Sequence, residues 1–413
     1  MWFIYQIVIR IYYWLISLLS IFNKKAALWL QGRKNSKIKK HHSSVWFHFA
    51  SLGEFEQGRP VLEQLRATWP QKQFVVTFFS PSGFEVRKNT PLADAVYYLP
   101  LDTPANAATF IATIDPEIAI FTKYEYWYCF FSELHRRQIP LYVISGIFRP
   151  GQIFFKWYGK LHRRMLRMVS HFFVQDDDSK KLLLTLGIDR VTVSGDTRFD
   201  RVWTNTRQAA SLPLITTFKN NQKLFIGGST WPPDEDLLIS LLKGYSAWKF
   251  ILAPHEIGKE RVNRLMDKLT GTGGIRFSDI SGPSKLLDCQ VLVIDNIGML
   301  SSLYHYADIA YIGGGFGAGI HNTLEAAAAG IPVIFGPRYQ KFREARELIA
   351  IDAGFSIKDG AALQHITAPL MTDDNLRRLT GQRASQYVST HTGATQTIVN
   401  YILGHQVIKS LSH

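Results

Sequence analysis

Hydrophobic and polar positions alternate with two different rhythms along this chain. The first 22 residues are an almost unbroken apolar run, Trp2 to Phe22, with aromatic residues at both ends and Arg10 as the one charge inside it. From Val45 onward, short apolar runs are separated by stretches of helical period, the rhythm of a parallel sheet wrapped by helices. The runs Val45–Phe49, Phe74–Phe78, Ala95–Leu99, Ile118–Phe121, Leu141–Ser145 and His171–Val174 are predicted strands, with helices such as Glu56–Trp69 and Ala105–Ile114 between them. The rhythm returns with Leu224–Gly227, Lys249–Ala253, Val291–Ile294, Ile309–Ile312 and Pro332–Phe335. The stretch from Phe199 to Thr216 shows no strand pattern and reads as a linker, and Ala394–Leu403 reads as a final helix. No solenoid-period repeat and no low-complexity segment is present. The pattern predicts an α/β chain of two doubly wound, Rossmann-like domains. Its divisions are an apolar helix over residues 1–23, a basic linker over 24–44, domains over 45–200 and 217–393 joined by 201–216, and a crossover helix over 394–413.

The apolar run has the length of a membrane span of about 20 residues. It lacks the basic start and small-residue cleavage site of a secretory signal. Arg10 at the centre of a spanning helix would cost on the order of 3 kcal/mol. A helix lying in the membrane interface, or one packed on the protein itself, therefore stands beside the spanning reading. Lys24, Lys25, Arg33, Lys34, Lys37, Lys39 and Lys40 follow the run, where a juxtamembrane basic segment meets lipid headgroups and holds the body on the cytoplasmic side.

Composition sharpens this. A chain of 413 residues with a formal charge of +14 needs an acidic neighbourhood. It carries no zinc knuckle, no basic helix with dimer heptads and no other nucleic-acid motif, so an anionic membrane fits better than nucleic acid. Cys129 and Cys289, far apart and alone, fit a reducing compartment and supply neither a disulfide framework nor a zinc site.

The most informative segment runs from Gly313 to Val333, where Gly313-Gly314-Gly315-Phe316-Gly317-Ala318-Gly319 follows a predicted strand and an alanine-rich helix is expected to begin near His321. A glycine turn feeding a helix N-terminus suits an anion, because unpaired N–H groups point at the ligand and missing side chains let a phosphate approach. Glu325, one turn into that helix, is placed to accept from ribose hydroxyls. The same glycines also suit a plain strand-to-helix turn; His321, Asn322 and Glu325 favour the nucleotide site.

Gly319-Ile320-His321-Asn322-Thr323-Leu324-Glu325, followed by Gly330-Ile331-Pro332-Val333, resembles the donor-binding motif of the 3-deoxy-D-manno-octulosonate (Kdo) transferases. A second segment, His48-Phe49-Ala50-Ser51-Leu52-Gly53-Glu54, resembles that family's His-Xaa-Xaa-Ser-Xaa-Gly-Glu signature. Its glutamate is the proposed general base, which implies a catalytic role for Glu54; the plain alternative is a helix-start acid. Ser80-Pro81-Ser82-Gly83, Leu99-Pro100-Leu101-Asp102 and Lys123-Tyr124-Glu125-Tyr126-Trp127 match further family motifs, and the last implies a second carboxylate at Glu125. Gly195-Asp196-Thr197-Arg198 keeps a cation at Arg198, and Gly227-Gly228-Ser229-Thr230-Trp231 adds another phosphate turn.

The resemblance implies a GT-B glycosyltransferase, two such domains facing a cleft, with donor-binding residues Arg198, Ser229, Thr230, His255, Gly314, Gly315, His321, Asn322 and Glu325. It implies inverting transfer of Kdo from CMP-Kdo to a lipid A precursor at the cytoplasmic face of the inner membrane, with no cofactor and no metal. The chain departs from the pattern at Pro254-His255-Glu256, where the usual arginine is missing, at Met299 in place of a glutamate, and at Arg338 in place of a histidine. Asp176-Asp177-Asp178 is expected to cap a helix rather than bind an ion. A UDP-sugar enzyme acting on another lipid is the alternative, and a catalytically inactive nucleotide-binding protein is the rival of a different class.

Overall fold

The computed structural model describes residues 2–208 and 210–411. The chain divides into a first unit, residues 1–200 with 392–413, and a second unit, residues 201–391. Among the described residues each unit is built on a seven-stranded parallel sheet.

In the first unit the strands are β1 (Ser44–Phe49), β2 (Phe74–Phe78), β3 (Ala95–Tyr98), β4 (Pro116–Thr122), β5 (Leu141–Gly146), β6 (His171–Val174) and β7 (Val191–Val193), in the order β3-β2-β1-β4-β5-β6-β7. β1, β2 and β5 are buried along their whole length, which is why they appear in the sequence as continuous apolar runs rather than alternating ones. One face carries a core around Trp46, Phe110, Phe121 and Phe130. The other carries Phe47, Phe49, Phe55 and Phe78 together with Ile398, Val399 and Ile402 from the last helix, Ala394–Leu411. That last helix thus completes the first unit.

Three helices frame the site of this unit: α1 (Trp2–Leu19), α2 (Lys24–Asn35) and α3 (Leu52–Thr68). Residues 24–35, read as part of a basic linker, are folded as α2. Its Trp29 is buried, and Asn23 caps it by accepting from the N–H groups of Lys25 and Ala26. α3 lies close against the sheet because Gly58 has no side chain; a Cβ there would come within 2.5 Å of the Phe49 ring.

The second unit has β8 (Lys223–Thr230), β9 (Trp248–Pro254), β10 (Gly274–Arg276), β11 (Val291–Val293), β12 (Ile309–Ile312), β13 (Val333–Phe335) and β14 (Gly354–Ser356), in the order β10-β11-β9-β8-β12-β13-β14. Its own core gathers Phe225, Phe250, Leu252, Tyr311 and Ile334. The expected linker is not an irregular segment: helices Thr197–Arg207 and Pro213–Lys219 occupy most of it. Buried Ile215 and Phe218 hold the second of these in place.

Candidate active site

Parallel sheets bind ligands outside the carboxyl ends of their strands, at the point where strand order reverses. In the first unit that point lies between β1 and β4. The segments leaving those two strands carry Glu54 and Glu125. The helix expected from Glu56 begins earlier, at Leu52, so Glu54 stands in the first turn of α3, three residues after the N-cap Ser51. One carboxylate oxygen accepts from the N–H of Ala50 at 2.6 Å, so the residue also serves the helix start. Burial, aided by the charge of Glu125, pushes its carboxyl up to about 7, against the opposing pull of the Ala50 bond and Lys123. A carboxyl titrating near neutrality is suited to proton transfer.

Glu125 follows β4 through Lys123, whose backbone takes a left-handed turn at φ 55°. Its Oε2 accepts from the indole N–H of Trp127 at 2.9 Å and meets Nε2 of His48 at 3.2 Å. His48 is fully buried, and its Nδ1 lies 2.8 Å from the Thr77 hydroxyl, which also accepts from the indole of Trp46. Nε2–H can donate to Glu125, while the Thr77 hydroxyl lies between Nδ1 and the Phe47 carbonyl, 3.3 Å away, to which it can also donate. Burial lowers the His48 pKa, against the opposing pull of Glu125. Sequence reasoning assigned His48 no role of its own; its place as the first residue of the matched signature was the available signal.

Arg198 belongs to this unit rather than to the second, where most of the expected donor residues lie. It pairs with buried Asp196 at 2.8 Å, and Asp196 also accepts from Gln57 of α3 at 2.8 Å. Asp102 of the Leu-Pro-Leu-Asp segment is buried and accepts from the N–H groups of Cys129 and Phe130, fixing the helix start that follows Glu125 and Trp127. Asp176 caps its helix by accepting from the N–H of Ser179 at 2.7 Å.

In the second unit the strand order reverses between β8 and β12, and the two glycine segments leave these strands. Ser229 takes a left-handed conformation at φ 53°. Thr230 is turned inward, its hydroxyl donating to Glu235 at 3.0 Å, so its side chain holds the fold rather than a ligand. Gly314 has φ +92°, and a Cβ on Gly315 would lie 2.6 Å from Cα of Gly336, so both positions exclude side chains. Asp234, which sequence reasoning missed, ties the turn down from within. It is buried, accepts from the N–H groups of Gly314 and Trp231 at 2.9 Å each, and accepts from the Tyr311 hydroxyl at 2.7 Å.

The alanine-rich helix is shorter than expected. It runs from Leu324 to Ala328 and ends ahead of Gly330 at φ +76°. Asn322 lies before it, its side-chain oxygen accepting from the N–H of Leu324 and its amide donating to Glu325 at 3.0 Å. Several N–H groups of the turn are already used: those of Gly317 and Gly319 donate to the carbonyl of Gly314, and that of His321 to Gly313. Arg338 braces the same turn, donating from its backbone to Gly315 and from its side chain to Gly317.

The rings of His321, His255 and Trp231 stack beside the turn. His255 lies 4.2 Å from His321 and 5.0 Å from Trp231, ring centre to ring centre. The Trp231 indole donates to Nε2 of His321 at 3.1 Å, which places the His321 proton on Nδ1 in the neutral ring. Burial, then the neighbouring His255, lowers the His321 pKa. Ser229, His255, Gly314, Gly315, His321, Asn322 and Glu325 are thus gathered at the carboxyl ends of β8, β9 and β12, within one unit.

Two doubly wound parallel sheets in one chain, with chemistry-bearing segments at each reversal point, define the GT-B class of fold. Solved structures of the same architecture include a UDP-GlcNAc 2-epimerase from Neisseria meningitidis bound to UDP-GlcNAc (TM-score 0.62, 15% identity, 87% of this chain and 100% of that one). Another is the UDP-GlcNAc 2-epimerase from Methanocaldococcus jannaschii (TM-score 0.55, 14% identity, 84% and 99%). The sequence profile of the family described as 3-deoxy-D-manno-octulosonic-acid transferase matches residues 25–201. The chain is 28% identical over 375 residues to the 3-deoxy-D-manno-octulosonic acid transferase of Haemophilus influenzae, covering 87% of this chain and 86% of that one. It is 26% identical over 369 residues to the one from Chlamydia muridarum, covering 86% and 85%. The chain is a relative of the Kdo transferases.

Proposed function

We propose that this glycosyltransferase moves Kdo from CMP-Kdo to a sugar hydroxyl of a lipid A precursor, with inversion and without a metal or cofactor. Glu54 takes the proton of the acceptor hydroxyl, whose oxygen forms a bond to the anomeric carbon of Kdo. The bond from that carbon to the phosphate oxygen breaks, and CMP departs with the electron pair. The observation that carries the reading is the position of Glu54, at the strand-order reversal of its unit, with a carboxyl raised to about 7 beside Glu125. Glu125, held by His48 and Trp127, contributes the neighbouring negative charge. The nucleotide is assigned to the turn of Gly314 and Gly315, with His255 and His321 beside the phosphate and Glu325 toward the ribose. A leaving group with a single phosphate requires only positioned donors and cations. The acceptor's phosphates account for the basic surface, and its acyl chains for an apolar N-terminal helix able to anchor the protein at the inner membrane's cytoplasmic face. The test is the product mass after incubation with CMP-Kdo and a tetraacylated lipid A precursor. Addition of Kdo supports the assignment; an unchanged acceptor, with transfer from a UDP-sugar instead, overturns it.

A further inference from the structure

We propose that α1 does not cross the bilayer but lies in the plane of its surface, docked on the first unit with its outer face in an anionic leaflet. The inference rests on the membrane reading above and fixes its geometry. By length and composition α1 is able to span. Its contacts place it otherwise. The Tyr5 hydroxyl donates to Asp102 at 2.5 Å, and the Gln6 amide lies 3.2 Å from the Cys129 sulfur. Tyr5 packs on Tyr128 at 5.9 Å between ring centres, Ile9 is buried, and Tyr12 and Tyr13 pack on Trp29 at 5.8 and 6.2 Å. The docked stretch, Tyr5 to Tyr13, falls within the apolar run where a spanning helix approaches the bilayer centre. To span, α1 would have to leave the unit, taking the Tyr5 hydroxyl from an Asp102 that is 1% exposed and uncovering Trp29.

The opposite face is apolar and open. Phe3, Ile4, Ile7, Ile11, Trp14 and Leu18 are exposed, Phe3 by 69% and Trp14 by 63%. At about 100° per residue these positions share one face, and Arg10 falls at its edge. There its guanidinium can reach headgroups while the neighbouring side chains enter the acyl region. Exposed Lys24, Lys25, Lys34 and Lys37 follow along the same hairpin of helices, giving the charge complement of an anionic lipid surface. The geometry also links this surface to the carboxylates. Tyr12 stacks on Phe79 at 6.3 Å, Phe79 stacks on Trp127 at 4.8 Å, and the Trp127 indole donates to Glu125. An acceptor whose acyl chains stay in the leaflet therefore need not leave it to bring a sugar hydroxyl to Glu54.

The experiment uses the full-length chain in a Cys289→Ser background, with Cys129 left buried beneath α1. Single cysteines at exposed positions, Ile4→Cys, Ile11→Cys and Leu18→Cys, carry a small bimane fluorophore and are mixed with phosphatidylcholine–phosphatidylglycerol vesicles whose acyl chains are brominated at defined depths. An in-plane helix gives all three labels the same shallow quenching profile, agreeing within about twofold, because all three lie on one face. A label at Ile11 quenched chiefly by the deepest bromines, with Ile4 and Leu18 shallow, overturns the in-plane geometry and leaves the membrane reading standing. Failure of the chain to bind the vesicles at all overturns both.

Discussion

Glu54 combines two duties that oppose each other. Its carboxylate accepts from Ala50 at the start of α3, yet burial beside Glu125 raises its pKa from 4.5 to about 7. Only the ionised form can act as a base, so turnover should climb through about pH 7 and level off above it, in a pH–rate profile measured with saturating substrates. Glu54→Gln should lower turnover by about two to four orders of magnitude and remove that rise; turnover within about threefold of wild type would move the role elsewhere. The same shift has a consequence for stability. Because folding raises this pKa, the fold is undisturbed by Glu54 below about pH 4.5 and loses stability as pH rises toward 7. Glu54→Gln cannot ionise, so at pH 8 it should resist denaturant better than wild type by on the order of 2–3 kcal/mol, with little difference at pH 4.5. In the second unit, Glu325→Ala should weaken CMP by about 1.5–3 kcal/mol and 2′,3′-dideoxy-CMP much less, in calorimetric titration. Equal losses would remove the ribose role and leave Glu325 as the partner of Asn322. Gly314→Ala, which looked from sequence like a probe of phosphate approach, is a probe of the backbone instead. At φ +92° its Cβ would come within 2.5 Å of the Gly319 carbonyl oxygen.

At the scale of elements, the same physics decides what sequence patterns reveal and what they hide. β2, β6 and β12 were readable to the residue, because a parallel strand covered on both faces is a continuous apolar run. β7, β10 and β14 were not; each is three residues long and partly exposed at or beside a sheet edge, too short to show a pattern. Glu54 and Glu125 were found through matched motifs, while His48 and Asp234 act from inside the fold through bonds to partners far along the chain, which spacing does not show. α1 is the clearest case. Its sequence allowed spanning, interfacial and packed helices, and spacing alone does not show that Tyr5, Gln6 and Ile9 dock it on the first unit. Deleting residues 1–22 would strip Asp102 of the Tyr5 hydroxyl and expose Trp29. The truncated chain should remain folded but melt about 4 °C or more lower, a shift expected for losing 1–2 kcal/mol or more from a domain of this size. Thermal unfolding followed by circular dichroism checks this; an unchanged melting temperature would mean that the docking contacts contribute nothing in solution.

At the scale of the whole molecule, the two units differ in how the chain builds them. The first is discontinuous, closed by the last helix, whose Ile398, Val399 and Ile402 are fully buried against β1, β2 and α3. The second is one continuous stretch, residues 201–391, with its own core and its own strand-order reversal. Ile398→Ala should therefore destabilise the first unit by about 2–5 kcal/mol, the usual result of emptying a buried site, while nucleotide binding by the second is unchanged. The residues assigned to CMP other than Arg198 all lie within 201–391, so that stretch expressed alone should fold and bind CMP. Its affinity should lie within about threefold of the full chain's and should exceed its affinity for UDP. Calorimetric titration of the isolated unit gives both numbers. A folded unit that binds CMP only with the first unit present would place essential nucleotide contacts in residues 1–200, with Arg198 the first to replace. A folded unit that prefers UDP would leave the relationship to the Kdo transferases intact and overturn the donor proposed here.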